Sequence, residues 1–412
     1  MKTSTKLWID ENVGKPIIYC LNFVVQLLGK ILRIDHSFQK PVKTIVICKF
    51  KGMGSIVQAT PLIQTLRTNY PDARILFVTE KANRGICELI PAIDKVLVLD
   101  DSTLFSLVKS IFTVLPKLWE MKVDYYFDLE IYSNFSSLFT TVSIARNRFG
   151  YFSSGKEYRM GIYTHMMFFN VNAPISEVYL QFARLIGCQK IESALWKPSS
   201  TSFSENLTQQ LRLSPNQNII VINPNASDLR IERRWPASKF SELISTILTQ
   251  YPEYKIVLIG NRAEAEYVNS IANGFQNNSS VINSSGKLSL TELICLIANS
   301  KLMVTNDTGP MHLGFACRIK VVALFGPCSP VQYGGSENSI SLYKNVYCSP
   351  CVHEFLVPPC KGNNVCMQGI QSKEVILAIE QILMGKANSL PTKISFLISE
   401  NQNVLGVVQR AD

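Results

Sequence analysis

The residues with the most chemical content lie in the segment 301–327, KLMVTNDTGPMHLGFACRIKVVALFGP. An apolar run stops at Asn306-Asp307-Thr308-Gly309, a helix is predicted over 311–317, and a second apolar run over 321–325 ends at Gly326-Pro327. Strand, tight turn, helix and strand in that order make a βαβ unit of a parallel sheet. Its turn falls at the carboxyl end of a strand, where open α/β sheets bind ligands. The helix N-terminus offers unpaired backbone N–H groups beside Thr308 and Gly309, a seat for a phosphate. From the segment alone a plainer reading is as good: Asp307 as an N-cap and Pro310 as a first-turn proline. His312, one turn further on, is placed to touch phosphate or ribose, although a single helical histidine is more often structural.

Three other groups carry possible chemistry. The loop 230–236, RIERRWP, sets three arginines and a tryptophan before a predicted helix. A fixed guanidinium is the group that stabilises negative charge building on a departing diphosphate; the alternative is a basic surface loop with Trp235 in the core. The turn Lys49-Phe50-Lys51-Gly52-Met53-Gly54-Ser55 joins a buried strand to a helix through two glycines, which permit positive φ and close approach of a ligand. No GK[ST] follows, so it is not a Walker loop, and a Gly-x-Gly turn by itself more often means tight packing. Cys348, Cys351, Cys360 and Cys366 form a C-x2-C, x8, C-x5-C group near His353. Four thiols at that spacing suit a structural zinc, with free structural thiols as the alternative.

Asp307 to Leu313, DTGPMHL, closely resembles the signature of the glycosyltransferase family 9 proteins, the lipopolysaccharide heptosyltransferase family. Asp307, Thr308, Gly309 and His312 match it residue for residue. Gly54-Ser55 with Thr60-Pro61 stands where the family carries G-D-x4-T-P, and Arg233 stands at the lysine of its K-x-W-P element. Asn223-Pro224-Asn225-Ala226 corresponds to a small-residue donor loop, and Phe325-Gly326-Pro327 with Ser329-Pro330 also fits; the resemblance spans 43–382. It implies a GT-B type α/β fold, two Rossmann-like domains facing each other across a cleft. It further implies an inverting, metal-independent transfer of a heptose or related sugar from a nucleotide-diphosphate donor, ADP-heptose-like, to a glycolipid or polysaccharide acceptor. Asn225, Arg233, Asn306, Asp307, Thr308, Gly309 and His312 would then hold the donor, and Gly52, Gly54, Ser55 and Thr60 would line the acceptor side. Domain closure would exclude water from the reaction.

One departure matters. Ser55 replaces the family's aspartate, regarded as the base that deprotonates the acceptor hydroxyl, and serine has no suitable proton affinity. Asp128 and Glu130 end a predicted strand of the same domain, and period two puts them on one side of it. Both are candidate catalytic residues with Arg233, Glu130 being favoured as nearer the loop; solvated strand-end charges are the alternative. Ser55 also supports a second reading, a transferase fold that has lost catalysis and serves as a scaffold. A sugar-nucleotide epimerase of similar fold is a third.

The elements that must position these residues read as two α/β series. With 412 residues and 47% hydrophobic content, two globular domains are expected. The boundaries are an amphipathic or membrane-surface helix in 1–41, a Rossmann-like acceptor domain over 42–195, a linker over 196–215, a nucleotide-sugar domain over 216–385 and a tail over 386–412. The stretch 151–172 is aromatic without clear period and is taken as a substrate-facing edge. In PIIYCLNFVVQLLGKILR, residues 16–33, Asn22, Gln26, Gly29, Lys30 and Arg33 form one polar stripe on an otherwise apolar helix. Packing on the protein, lying in a membrane interface and crossing a bilayer are all compatible with it. Net charge +10 asks for an anionic partner, and with no zinc finger, RNA-binding signature or dense basic block, no nucleic acid is expected. Eleven cysteines and an N-terminus without a secretory pattern point to a cytoplasmic protein. With the apolar helix and positive charge, the glycolipid acceptor that the resemblance implies sets it peripherally on the cytoplasmic face of the inner membrane.

Overall fold

The computed structural model describes residues 5, 8–199, 203–214, 217–226, 228–335, 337–352 and 360–384. His353 and the expected tail lie outside them. The chain divides into two units, Met1–Trp196 and Lys197–Asp412.

The first unit is built on β1 (Thr44–Cys48), β2 (Arg74–Glu80), β3 (Lys95–Leu99), β4 (Tyr125–Asp128), β5 (Asn147–Phe152) and β6 (His165–Phe168). They pair in parallel in the order β3-β2-β1-β4-β5-β6. TIVIC of β1 is buried throughout, because a parallel strand is covered on both faces and needs apolar residues at every position. Residues 151–172, read as a substrate-facing edge, hold the end of β5 and all of β6, the edge strand of this sheet. HMMF in β6 shows no alternation, so period reading passes over it. Its place is set by packing against aromatics such as Phe149, which stacks on His165 at 4.9 Å and on Phe127 at 4.5 Å.

Four helices of this unit matter below: α1 (Lys15–Leu32), α2 (Met53–Gln58), α3 (Leu104–Met121) and α4 (Asn134–Val142). Val114 and Leu118 of α3 share one core with Phe139 of α4 and with Val46 and Leu76 of the sheet. The first part of the polar stripe of α1 turns towards the protein, while Gly29, Lys30 and Arg33 are exposed: Asn22 Nδ2 donates to the Tyr158 carbonyl at 2.8 Å and Gln26 Nε2 donates to Asn22 Oδ1 at 2.8 Å. Ile18 beside it is buried with Tyr158, Ile162 and Tyr163.

The second unit repeats the plan with β7 (Asn218–Asn223), β8 (Tyr254–Leu258), β9 (Val281–Asn283), β10 (Leu302–Asn306), β11 (Lys320–Phe325) and β12 (Ser339–Tyr343), and with α5 (Gly309–Ala316) after β10. Their order is β12-β11-β10-β7-β8-β9, again all parallel. The expected linker over 196–215 is corrected in part: it contains a helix, Glu205–Leu211, whose N-cap Ser204 accepts from the Leu207 N–H at 3.2 Å. Trp235 is fully buried in the core of this unit with Phe240, Ile222 and Val304, and its indole N–H donates to the Ile370 carbonyl at 3.0 Å.

Candidate active site

Each sheet reverses its order of growth between two central strands, β1 and β4 in the first, β7 and β10 in the second. Loops leaving such a pair diverge and open a crevice at the carboxyl ends. The candidate residues gather at these two points.

At the first, Glu130 leaves the end of β4 and turns under the loop that follows β1. Its Oε1 takes the Lys49 ammonium at 2.8 Å and the N–H groups of Phe50 at 2.8 Å and Lys51 at 2.9 Å. Burial by itself pushes the Glu130 carboxyl up, but Lys49 and the N–H donors outweigh it and hold the carboxyl below its ordinary value. Oε2 takes no hydrogen bond from any described residue, so one oxygen is anchored and the other is open. Lys49 was not among the expected site residues; the signal for it was a lysine directly following a fully buried strand. Gly52 takes φ +86°, a conformation strained for residues with a Cβ, and a Cβ there would meet Ser55 Oγ at 3.2 Å. Gly54 and Ser55 lie in the first turn of α2, Gly54 buried and Ser55 half-buried against the Tyr179 hydroxyl.

Two expectations on this side are corrected. Asp128 is neither at the mouth of the crevice nor on the side of Glu130. It is fully buried, Oδ1 accepting from the Glu130 N–H at 2.9 Å and Oδ2 from the Tyr163 hydroxyl at 2.6 Å. Burial pushes its carboxyl up against the opposing pull of Arg159. Strand β4 ends at Asp128, so period two does not carry on to Glu130. Thr60 is also sealed: its hydroxyl donates to the Val57 carbonyl at 2.6 Å and accepts from the Trp196 N–H at 2.9 Å, which makes it a tie between its helix and the last residue of the first unit rather than a lining residue.

At the second crevice, Arg233 Nη1 reaches the Asp307 carbonyl at 3.3 Å and its carboxylate Oδ2 at 3.6 Å. Arg233 Nε is buried and bonds to no described atom, and the buried Cys328 thiol lies against the same pair. Asn225 is similar: Nδ2 donates to the Ile259 carbonyl at 2.7 Å while its buried Oδ1 has no partner. Buried polar atoms are nearly always satisfied, so the two atoms, unpartnered among the described residues, are ones that a polar ligand could complete. Thr308 is the N-cap of α5, but its hydroxyl accepts from Asn223 Nδ2 at 2.7 Å and does not cap the helix, leaving the Gly309 end open.

Asn306 and His312 are corrected in kind. Asn306 is fully buried; Nδ2 donates to the carbonyls of Pro224 at 2.9 Å and Asn225 at 3.1 Å, and Oδ1 accepts from the Trp235 N–H at 3.2 Å. It staples the loops that carry Asn225 and Arg233 and has nothing left for a ligand. His312 is 5% exposed, and burial pushes its imidazole down to about 4. At neutral pH it carries no charge for a phosphate. Among the described residues no three His, Cys, Asp or Glu are grouped to hold a metal, and Cys348, Cys351, Cys360 and Cys366 are free thiols; His353 lies outside those residues.

Two doubly wound parallel sheets, each with its candidate residues at the switch point, define a GT-B type glycosyltransferase. Residues 134–358, more than half of the chain, match the profile of glycosyltransferase family 9 (heptosyltransferase), and the chain belongs to that family. It is similar to lipopolysaccharide heptosyltransferase 1 of Campylobacter coli, 25% identical over 297 residues, 68% of this chain and 83% of the relative. Lipooligosaccharide heptosyltransferase 2 of Campylobacter jejuni is 24% identical over 335 residues, 80% of this chain and 95% of the relative. In fold it is similar to a family 9 glycosyl transferase from Veillonella parvula, TM-score 0.68 at 21% identity, covering 85% of this chain and 100% of that one. The ADP-heptose lipopolysaccharide heptosyltransferase II of Escherichia coli gives TM-score 0.65 at 21% identity, with 84% and 99% covered.

Proposed function

We propose that this glycosyltransferase moves a heptose or related sugar from an ADP-heptose-like donor to a lipopolysaccharide-type glycolipid, with inversion and without a metal. The donor diphosphate binds at the second crevice, at the open Gly309 end of α5 and against Arg233 and Asn225. There Arg233 fills the part a divalent cation plays elsewhere, neutralising the charge that grows on the leaving diphosphate. The acceptor hydroxyl approaches the loop from Lys49 to Ser55, and Glu130, anchored through Oε1, takes its proton through Oε2 as the anomeric bond forms. Ser55 and Tyr179 place the hydroxyl, and Asp128 supports the loop from beneath. The names of the relatives support the sugar and the acceptor class; the cytoplasmic face of the inner membrane is the place of work this reading assigns. The observation that carries the reading is the buried, unpartnered Arg233 Nε beside Asp307. The test is calorimetric binding of ADP, GDP, UDP and CDP to the purified chain, with Arg233→Ala and Thr308→Ala as controls. Preferential binding of ADP, lost in both variants, supports the donor assignment. A folded protein that binds none of the four removes it and leaves a catalytically inactive scaffold in its place.

A further inference from the structure

The first unit carries an apolar surface that its own core does not use. With Asn22 and Gln26 turned inward, α1 shows solvent the side that a water-soluble helix buries: Phe23 is 72% exposed, Ile31 66% and Leu27 50%. A second stripe runs along α3, where Phe105 is 78% exposed and Phe112 74%, with Val108 and Trp119 on the same side of the helix. The opposite side of α3, Val114, Leu115 and Leu118, is buried against the sheet. Of 27 large apolar side chains left exposed among the described residues, eleven lie between Trp8 and Ile34 and five between Leu104 and Trp119. The two stripes are neighbours through α4. Trp119 Nε1 of α3 donates to the Val142 carbonyl at one end of α4 at 2.8 Å, and Asp10 accepts from the Asn134 N–H at its other end at 2.9 Å.

Charge selects the occupant. From Lys15 to Ile34 the chain carries Lys30, Arg33 and Lys15, the last ion-paired with Glu11 at 3.1 Å, and no acidic residue, Asp35 following directly. From Leu104 to Lys122 it carries Lys109, Lys117 and Lys122 against Glu120, after Asp100 and Asp101. Apolar stripes flanked by lysine and arginine match the acyl boundary and head groups of an anionic leaflet. By length and composition Asp10–Leu32, 23 residues whose most apolar 18-residue window has mean hydropathy 1.4, is able to cross a bilayer. Both of its flanks, however, are fastened to one globular unit. Asp10 holds the start of α4, and beyond the helix His36 Nδ1 meets the Arg146 carbonyl at 2.7 Å while Phe38 stacks on Phe149 at 6.0 Å. A crossing helix leaves its flanks on opposite sides of the membrane, which these contacts forbid.

We propose that α1 and α3 together form a docking face that lies side-on in an anionic lipid bilayer without crossing it. The face belongs to the first unit alone, and nucleotide binding measured on the same preparation separates its failure from failure of the transferase reading. The experiment is sedimentation of the full chain with vesicles of phosphatidylethanolamine and phosphatidylglycerol, and with phosphatidylcholine vesicles. The chain is expected to sediment with the anionic vesicles, to bind more weakly as salt rises and to be released by alkaline carbonate. Phe23→Ser with Leu27→Ser, and separately Phe105→Ser with Phe112→Ser, are each expected to lower partitioning by about tenfold or more at unchanged melting temperature. Absence of binding to every vesicle overturns the proposal, as does full binding by the Phe105/Phe112 variant. Equal binding to phosphatidylcholine overturns the anionic surface, and retention in carbonate overturns the side-on placement. A dimer in sedimentation velocity that these substitutions dissolve, without vesicle binding, assigns the face to a second copy instead.

Discussion

Lys49 Nζ lies 2.8 Å from Glu130 Oε1, and both side chains are more than nine-tenths buried. The pair sits where β1 and β4 diverge, and the same oxygen takes two backbone N–H groups of the loop between Lys49 and Ser55. A carboxylate so held is ionised at all ordinary pH and its orientation is set by the loop it serves. Replacing Lys49 by Met leaves that carboxylate buried without its cation, which costs about 3–5 kcal/mol. Urea denaturation of Lys49→Met is the check, and a loss below about 1 kcal/mol would contradict the pairing.

Glu130→Gln keeps the shape and loses the proton acceptor. Turnover is expected to fall by about a hundredfold or more, while the affinity for the nucleoside diphosphate stays within about twofold of wild type. Single-turnover kinetics and calorimetry on one preparation separate the two quantities. Unchanged turnover would move the base elsewhere.

Arg233→Ala removes the guanidinium from its place beside Asp307. Nucleoside diphosphate affinity is expected to drop about tenfold or more and turnover roughly a hundredfold. Arg233→Lys restores the charge but not the planar fork, so it should recover only part of each. If alanine and lysine behave alike, charge at this position does not matter.

His312 links stability to pH. Its folded value, about 4, lies below the ordinary 6.5, so the folded state resists protonation that the unfolded state accepts. The stabilisation is complete above about pH 6.5 and is lost as pH falls towards 4, amounting to about 3 kcal/mol. Urea midpoints of wild type and His312→Gln between pH 4 and 7 should show this slope in the wild type and a flatter one in the variant. Parallel slopes would assign the pH dependence to other groups.

Asn306→Ala cuts the staple between the loops of Asn225 and Arg233. Three hydrogen bonds end and buried carbonyls lose their donor, at a cost of about 2–3 kcal/mol. Nucleotide affinity should fall with it, because Asn306 holds the Trp235 N–H, two residues beyond Arg233 in the same loop. Asn306→Asp is expected to do worse, since an acceptor then faces the Pro224 and Asn225 carbonyls.

The α/β class and the strand–turn–helix around Asp307 were legible along the chain, because parallel strands buried on both faces are continuous apolar runs and the turn residues between them are local signals. The family signature at Asp307 to Leu313 was legible for the same reason: it is contiguous. Contacts between residues far apart in the chain were not. Asn306 and Thr60 stand beside ligand-facing positions in sequence, yet their hydrogen bonds run 71 to 136 residues away, to Trp235 and Trp196. Asp128 and Glu130 are two apart, and only the end of β4 between them sends one down into the Tyr163 network and the other towards Lys49. The stripe of Asn22 and Gln26 was plain from its spacing, but spacing does not say which side of an amphipathic helix meets the protein. Residues 157–163 packing against α1 decided it, turning the polar side in and leaving the apolar side out.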